Sequence, residues 1–366
     1  MERTFADVLE IYNGRNQRQV ENPAGKYPIY GSGGVMGYAD DYICPENTVV
    51  IGRKGSINKP IFVTTPFWNV DTAFGLVAKS EFLLPKYLYY FCEWFDFEKL
   101  NTMVTIPSLT KANLLQIPIH LPSMEDQRKI VQKFEAVELL ILHRQDEIHA
   151  LDQLIKARFV EMFGDMLTNP MNWPEQKLES MADIVSGITK GRRIQTSELF
   201  NVPYMAVSNV KDGYIDWTTV KTIDASQAEI NQYRLMPNDV LMTEGGDPDK
   251  LGRGAIIHNP PKDCIHQNHI FRVRLDQRLV LPVFMEQYLQ HQRAKRYFLG
   301  CAKQTTGIAS INIKQLRALP ILMPPLELQE QFAAFVSQVD RSKAAVSESL
   351  RKIQTIYACL LQNYFR

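Results

Sequence analysis

The chain has 366 residues, 45% of them hydrophobic and 22% charged, with a formal net charge of +1 at pH 7. This length allows two or three domains with cores of their own, and this composition lies in the globular range rather than in that of disordered chains. Because nucleic-acid-binding domains are often strongly basic, the small net charge by itself argues weakly against such a binder.

Cysteine spacing and hydrophobic runs indicate the setting of the protein. No apolar run approaches the roughly 18 residues of a membrane span, and Met1-Glu2-Arg3-Thr4 lacks signal-peptide character. The five cysteines form no Cys-x-x-Cys pair, which suits neither a disulfide framework nor a zinc site and fits a reducing compartment. We therefore expect a cytoplasmic protein.

Residues 1–122, the first head, are rich in strand and turn signals. Strands are predicted at Thr48-Val49-Val50-Ile51-Gly52 and at Ile61-Phe62-Val63-Thr64. Gly31-Ser32-Gly33-Gly34 is similar to a phosphate loop, but no Gly-Lys-Ser/Thr and no helix pattern follows it. Two interpretations remain open, glycines that permit tight turns and a close backbone approach to DNA phosphate.

Residues 123–165 are predicted to form a long helix. Their apolar side chains recur in alternating steps of four and three, as at the a and d positions of a coiled coil, broken only at Arg144 and Arg158. About 39 residues at 1.5 Å each make a rod of roughly 58 Å. The predicted seam consists of Ile130, Phe134, Val137, Ile141, Ile148, Leu151, Ile155 and Met162.

Residues 166–323, the second head, again combine strands and turns. Strands are predicted at Val240-Leu241-Met242-Thr243, Ala255-Ile256-Ile257-His258 and Ile270-Phe271-Arg272-Val273-Arg274. Residues 324–366 then repeat the long-helix pattern, with Lys343 as the polar member of the seam. The second predicted seam consists of Phe332, Val336, Val339, Val346, Leu350, Ile353, Tyr357 and Leu360.

The chain therefore contains an internal repeat. Ser108 and Gln127 recur as Ser310 and Gln329, and the differences 310 − 108 and 329 − 127 are both 202. Each long helix begins within a Pro-x-x-Glu-x-Gln element, whose proline stands at the start of the helix, where it costs no hydrogen bond. Because each helix carries an apolar stripe, we expect the two helices to pair with each other. The alternative, the core of a helical bundle, does not explain why a strand-rich segment precedes each helix.

The order of several motifs resembles the specificity subunits of Type I restriction–modification enzymes over essentially the whole chain. The motifs are Tyr27-Pro28-Ile29-Tyr30-Gly31-Ser32-Gly33-Gly34, Ile51-Gly52-Arg53-Lys54-Gly55-Ser56, Gly245-Gly246-Asp247, Gly252-Arg253-Gly254-Ala255, His266-Gln267-Asn268-His269 and the two Pro-x-x-Glu-x-Gln elements at 122–127 and 324–329. The resemblance implies an α+β fold. Two target-recognition domains, 1–122 and 166–323, alternate with spacer helices 123–165 and 324–366 that pair antiparallel in a pseudo-two-fold repeat.

The resemblance also implies a function and partners. Such a subunit has no catalytic site, binds double-stranded DNA at a split site, and holds its two recognition domains at opposite ends of the helical rod. Two modification subunits with S-adenosylmethionine, and a restriction subunit with ATP and Mg²⁺, are the implied partners. The first head opens almost directly at Phe5-Ala6-Asp7-Val8, whereas Trp173-Pro174-Glu175 leads into the second, so we expect the first head to lack one edge segment.

Motifs suggestive of other chemistry are weaker. Asn259-Pro260-Pro261-Lys262 lacks the aromatic residue with which an adenine methyltransferase stacks a flipped base. His266 and His269 have no carboxylate or cysteine at metal-ligand spacing nearby, so base or phosphate contact and a buried structural histidine remain open, and no metal site is predicted. Asp239 and Glu244 lack the trailing lysine of a nuclease core.

Polar and basic residues clustered in predicted loops are the candidate DNA contacts, since Arg and Lys neutralise phosphates or bind guanine edges and Asn and Gln bind adenine edges. In the first head they are Arg15, Arg18, Tyr30, Ser32, Arg53, Lys54, Ser56, Asn69, Asp71, Thr105, Ser108 and Lys111. In the second head they are Lys190, Arg192, Arg193, Asn209, Lys250, Arg253, Gln267, Asn268, His269, Lys303, Gln304, Thr305, Thr306 and Ser310. The competing functional hypothesis is a non-enzymatic coiled-coil scaffold whose β-rich heads bind protein or glycan.

Overall fold

A computed structural model describes residues 2–100, 108–193, 198–247, 251–305 and 308–366. The chain divides into two compact units, one made of Met1–Glu147 with Val346–Arg366 and the other of Ile148–Ala345. Each unit contains one head and part of both long helices. The predicted domain boundaries lie at the ends of the long helices. In the structure, by contrast, each long helix is divided between the two compact units. No described helix is long and apolar enough to cross a membrane.

The first unit begins with short strands and ends its head with a short helix and strand before the first long helix. Its elements are β1 (Glu2–Thr4), α1 (Phe5–Val8), β2 (Leu9–Asn13), β3 (Tyr27–Gly31), β4 (Gly34–Ala39), β5 (Thr48–Gly52), β6 (Ile61–Val63), β7 (Trp68–Asn69), β8 (Ala73–Ala78), α2 (Pro85–Trp94), a 3₁₀ turn (Phe97–Leu100), α3 (Lys111–Leu115), β9 (Pro118–His120) and α4 (Met124–Phe163), of which residues 148–163 belong to the second unit.

The described strands of the first head form three sheets. One is antiparallel in the order β2-β8-β5-β6, and its central strand β5 is buried along its whole length. A second has the order β4-β3-β7, with β3 antiparallel to β4 and parallel to β7. In the third, β1 pairs antiparallel with β9.

The pairing of β1 with β9 corrects the expectation that the first head lacks an edge segment. Thr4 lies opposite Pro118, and the Phe5 amide donates to the Ile117 carbonyl at 3.0 Å. In the second head Lys177 lies opposite Pro320 in the same way. Backbone pairing of three residues needs no particular side chains, so the sequence pattern did not reveal this strand.

The second unit repeats these elements and adds others. They are β10 (Glu175–Lys177), a 3₁₀ turn (Leu178–Ser180), β11 (Ala182–Ser186), β12 (Phe200–Met205), a 3₁₀ turn (Val207–Asn209), β13 (Lys221–Ala225), α5 (Gln227–Tyr233), β14 (Val240–Thr243), β15 (Gly245–Gly246), β16 (Gly254–Ile256), β17 (Ile265–His266), β18 (Ile270–Leu275), α6 (Pro282–Gln290), α7 (Gln292–Cys301), β19 (Lys303–Thr305), β20 (Ile308–Ser310), α8 (Ile313–Arg317), β21 (Pro320–Leu322) and α9 (Leu326–Phe365), of which residues 346–365 belong to the first unit.

The sheets of the second head have the same topology as those of the first. The order β11-β18-β14-β16 matches β2-β8-β5-β6, the order β13-β12-β17 matches β4-β3-β7, and β10-β21 matches β1-β9. In both heads the middle strand of the three-stranded sheet has one antiparallel and one parallel neighbour. The second head also contains the sheet β15-β20-β19, and its pairing of Gly245 with Ser310 matches the bridge between Lys54 and Ser108 in the first head. The two heads are therefore one fold built twice, which confirms the predicted α+β architecture and internal repeat.

In the first unit the two long helices run antiparallel. The Phe134 ring lies 5.4 Å from that of Tyr357, and the Lys133 amine donates to the Tyr364 hydroxyl at 2.7 Å. Farther along α4, the Glu138 carboxylate accepts a hydrogen bond from Tyr357. Residues later in α4 therefore contact residues earlier in α9, as in an antiparallel pair.

The second unit shows the same antiparallel arrangement. The Phe159 and Phe332 rings are 5.5 Å apart, the Arg158 guanidinium lies 5.6 Å from the Phe335 ring, and Lys343 pairs with Asp152 at 2.5 Å. The predicted seam positions are all buried or half-buried on both helices. Lys343, the polar member of the seam, satisfies its charge with the facing helix.

A buried glutamine joins each head to the helix that follows it. Gln127 accepts a hydrogen bond from the Leu84 amide at 2.9 Å, and it donates to the Phe82 and Pro122 carbonyls. Gln329 does the same with the Leu281 amide and the Leu279 and Pro324 carbonyls. Both glutamines have no exposed surface. The repeated Pro-x-x-Glu-x-Gln element therefore encodes a junction between head and helix.

Replacing either junction glutamine should destabilise the protein. In Gln127→Ala or Gln329→Ala, one buried amide and two carbonyls lose their partner, so we expect a loss of roughly 1–3 kcal/mol in the free energy of unfolding. Urea unfolding followed by circular dichroism measures this loss. Gln132→Ala, at an exposed position of α4, is the matched control and should change stability by less than about 0.5 kcal/mol. Equal effects at positions 127 and 132 would contradict the structural role.

Candidate nucleic-acid interface

Backbone hydrogen bonds gather several loops of the first head at one end of its strands. The Arg15 amide donates to the Asn69 carbonyl at 2.8 Å, and the Val70 amide donates to the Tyr30 carbonyl at 3.0 Å. A side chain at Gly14 would collide with the Val70 carbonyl oxygen, since its Cβ would lie only 1.7 Å away. Glycine is required there because two backbones meet directly.

The residue after β5 lies at the centre of this cluster. The Arg53 amide donates to the Thr72 carbonyl at 2.8 Å, and the Arg53 carbonyl accepts from the Leu109 amide at 3.0 Å. Gly52 packs against the Ser56 backbone and the Ser32 side chain, because a Cβ at Gly52 would lie 2.5 and 2.9 Å from them. We name residues 14–15, 30–32, 52–56, 69–72 and 108–109 the first loop cluster.

The second head assembles the equivalent loops through the same bonds. The Ile188 amide donates to the His266 carbonyl at 2.9 Å, and the Gln267 amide donates to the Met205 carbonyl at 3.0 Å. At Gly187 a Cβ would lie 1.9 Å from the His266 carbonyl oxygen, so a close backbone contact again requires glycine.

The residue after β14 occupies the place of Arg53. The Glu244 amide donates to the His269 carbonyl at 3.0 Å, and the Glu244 carbonyl accepts from the Ile311 amide at 2.9 Å. We name residues 187–188, 205–207, 243–246, 266–269 and 309–311 the second loop cluster. An open groove of about 530 Å³ there is lined by Val207, Gly246 and Ser310 as well as by Glu244 and His269.

Most predicted contacts of the first head belong to the first loop cluster or its margin. The exposed members are Arg15, Arg18, Arg53, Lys54, Ser56, Asp71 and Lys111, and the half-buried members are Tyr30, Ser32 and Ser108. The Arg53 guanidinium lies 5.8 Å from the centre of the Phe74 ring, a position consistent with a cation–π contact. Thr105 lies outside the described residues.

Two predicted contacts of the first head have internal roles. Asn69 has no exposed surface, and its amide nitrogen donates to the Ala73 carbonyl at 3.1 Å. The Lys111 amine donates to the Ile11 carbonyl at 2.8 Å. These bonds argue against direct DNA contact by Asn69 and restrict the reach of Lys111.

The predicted residues of the second head also differ in exposure. The exposed members are Lys190, Arg193, His269 and Lys303, and the half-buried members are Arg192, Arg253, Gln267, Asn268 and Ser310. Lys250 and Thr306 lie outside the described residues, as do the side chains of Gln304 and Thr305.

Asn209 and Arg192 are held inside the second head. Asn209 has no exposed surface, and its amide is bonded to the Ala206 amide, the Asp216 carbonyl and the Thr219 hydroxyl. Arg192 donates to both carboxylate oxygens of Glu229, at 2.5 and 2.8 Å. Hydrogen bonds from Arg192 lower the pKa of Glu229 to about 2. These contacts argue for structural roles at both positions.

The two histidines of the His-x-x-His motif have different environments. His266 is fully buried, and its Nδ1 donates to the Ile270 carbonyl at 3.1 Å, since a carbonyl oxygen only accepts. Burial, together with nearby Arg272, lowers the pKa of His266 to about 4. His269 is exposed, and its Nδ1 lies 2.5 Å from the Glu244 carboxylate. His266 is therefore a structural histidine, and His269 belongs to the surface of the cluster.

Sequence reasoning missed Glu244 as a member of this surface. In the sequence, Glu244 stands out only as a possible nuclease carboxylate beside Asp239, which the structure buries against Arg274 at 2.7 Å. Alignment of the ends of β5 and β14 would have placed Glu244 at the position of Arg53. Among the described residues, no group of three or more His, Cys, Asp or Glu side chains is placed to hold a metal.

Arg192→Ala should affect stability rather than DNA sequence preference. It removes the partner of a half-buried carboxylate, so we expect a loss of about 1–3 kcal/mol in the free energy of unfolding at pH 7, measured by urea unfolding. The neighbouring exposed residue provides the control, because Arg193→Ala should change stability by less than about 0.5 kcal/mol. A fully stable Arg192→Ala protein with altered sequence preference would show instead that Arg192 reads DNA.

Protonation of His266 should destabilise the second head in mild acid. Because the folded-state pKa lies below the unfolded value of about 6.5, its neutral form stabilises the fold fully above that pH, and this stability is lost as pH falls toward 4. Between pH 7.5 and 5.0 we expect this group to account for about 2 kcal/mol. Urea unfolding at both pH values should show a smaller difference for His266→Gln than for the parent. Equal differences would refute this role of His266.

Comparison with known proteins identifies the family. The model of the family described as "Type I restriction modification DNA specificity domain" matches residues 1–151 and 170–355, which together cover most of the chain. Two solved structures have the same fold over 100% of this chain. The S subunit of a Type I restriction–modification system from M. genitalium has a TM-score of 0.57 at 16% identity and is itself covered to 96%. A chain from a structure of Type I R-M complex assembly and conformational transition has a TM-score of 0.61 at 17% identity and is covered to 97%.

Curated relatives agree with this assignment. The putative MjaX specificity subunit of Methanocaldococcus jannaschii is 25% identical over 198 residues, which are 54% of this chain and 46% of the relative. The EcoKI specificity subunit of Escherichia coli strain K12 is 21% identical over 352 residues, which are 88% of this chain and 75% of the relative. The match thus spans about half of the first relative and three quarters of the second. The chain belongs to the family of Type I restriction–modification DNA specificity proteins.

Proposed function

We propose that this chain is the DNA-reading specificity subunit of a Type I restriction–modification complex, and that it recognises a split DNA site without a catalytic group of its own. One observation carries the proposal. Two loop clusters are assembled by the same backbone hydrogen bonds, yet they present unlike side chains, such as Arg53 and Glu244. A scaffold repeated with different surface groups suits the reading of two different half-sites.

Charge supports DNA as the ligand of the first loop cluster. Arg15, Arg53 and Lys54 are exposed there, and Arg18 is exposed in the loop that follows Arg15. Such cations neutralise backbone phosphates, and the exposed polar side chains of the same loops supply groups for base edges. The scaffold hypothesis has no comparable support, because the family to which the chain belongs is one of DNA specificity domains.

The long helices offer surface for protein partners. In the first unit Leu139, Leu140, Leu142 and Ile356 are between 47% and 53% exposed, and in the second unit Leu154 and Val160 are about 45% exposed. Exposed apolar side chains on a helix favour a protein contact. We assign these surfaces to two modification subunits, which carry S-adenosylmethionine. A restriction subunit that uses ATP and Mg²⁺ would complete the complex, which we place in the cytoplasm.

Reconstitution with the modification subunit tests this function. We expect the purified chain alone to transfer no methyl group, and the chain with its modification subunit to methylate one split, asymmetric motif, read by methylome sequencing. Methylation by the chain alone, or methylation without a motif, would overturn the proposal.

Salt dependence distinguishes DNA binding from an apolar protein contact. Affinity for a duplex should fall steeply as salt rises, and Arg18→Ala should weaken binding to all sequences and reduce the slope of log K against log salt by about one. The control is Arg278→Ala. Arg278 is 88% exposed and pairs with Asp276 after the C-terminal end of β18, whereas residues 266–269 of the second loop cluster precede that strand. Binding that is insensitive to salt would favour the scaffold hypothesis.

A further inference from the structure

Arg53 and Glu244 occupy the same position in the duplicated fold. Each is the first residue after the third strand of its four-stranded sheet, and each has its amide and its carbonyl fixed by equivalent partners. Because two hydrogen bonds fix the backbone on both sides of the side chain, the side chains leave from the same place in both heads. One position therefore carries a hydrogen-bond donor in the first head and an acceptor in the second.

Arg53 is exposed, and its guanidinium lies close to the Phe74 ring. A guanidinium has donors at a spacing that matches O6 and N7 of guanine in the major groove. Lys54 follows it and is also exposed. This arrangement favours a guanine edge over an edge that offers amino donors.

Glu244 is oriented by a histidine. One carboxylate oxygen, Oε2, lies 2.5 Å from Nδ1 of His269, and the carboxylate is one-third exposed at the groove of the second loop cluster. A carboxylate only accepts hydrogen bonds and therefore suits an exocyclic amino group. In the major groove cytosine presents its N4 amino group and no acceptor of its own, whereas adenine presents N7 beside its N6 amino group, and N7 would repel a carboxylate.

We propose, building on the function above, that this position determines specificity in both half-sites: Arg53 donates to a guanine in one half, and Glu244 accepts from the N4 amino group of a cytosine in the other. His269 is a positioning residue that orients the Glu244 carboxylate. From one place in the fold, the first head thus reads the guanine of a G·C pair in its half-site, and the second head reads the cytosine of a G·C pair in the other half-site.

Base analogues test each contact in the complete complex of this chain with its modification subunit. Once the methylated motif is known, each guanine of a duplex is replaced in turn by 7-deazaguanine, which lacks the N7 acceptor, and each cytosine by N4-methylcytosine, which blocks the amino group. The native complex should bind roughly 5- to 150-fold more weakly when one guanine of one half-site is replaced, and similarly for one cytosine of the other half-site.

Two variants assign the contacts to their residues. Arg53→Ala should lose the sensitivity to 7-deazaguanine and keep the sensitivity to N4-methylcytosine, while Glu244→Ala should show the reverse. Each variant thereby controls for folding of the complex, since the response of the other half-site persists, and Arg278→Ala should retain both responses. The proposal is overturned if neither analogue weakens binding, if a variant retains its own response, or if both responses map to one half-site. Failure of the native complex to bind any motif would instead reject the proposed function.

Discussion

The first unit depends on contacts between the last turn of α9 and residues of the first head and α4. Phe365 lies in the last turn of α9, and the centre of its ring is 5.1 Å from that of Tyr87 and 5.9 Å from that of Phe91, both on α2 of the first head. It also stacks with Phe134 of α4 at 6.1 Å. Burial of these large rings removes extensive apolar surface from water. The antiparallel pairing of the long helices places the end of α9 beside α2, so this core requires a folded-back chain.

Much of this architecture follows from sequence, because the repeat is carried by side chains. Gln127 and Gln329 occupy the same position of the repeat because each makes the same hydrogen bonds at a buried junction. The apolar seam recurs because each long helix covers the apolar stripe of the other. The edge strand β1 escaped prediction because its pairing uses only backbone groups. A pattern of side chains does not report such a pairing.

The candidate site was harder to predict residue by residue. Arg192 and Arg193 are neighbours of the same type, yet Arg192 is bound by Glu229, 37 residues away, while Arg193 is exposed. Sequence also could not show that Asn209 satisfies its amide internally, or that Glu244 takes the place of Arg53. These distinctions arise from tertiary contacts, whereas the loops that contain the residues were identified from glycine and polar composition.

The division of the chain into units affects the order in which it can fold during synthesis. The second unit is one continuous stretch, Ile148–Ala345, whereas the first needs Val346–Arg366 as well as its opening residues. Domains usually fold in order from the N-terminus as they leave the ribosome. In this chain the rings of the first head and α4 that pack against Phe365 lack that neighbour while the second unit is translated. Nascent chains stalled before residue 346 would therefore expose Tyr87 and Phe134 to chaperones.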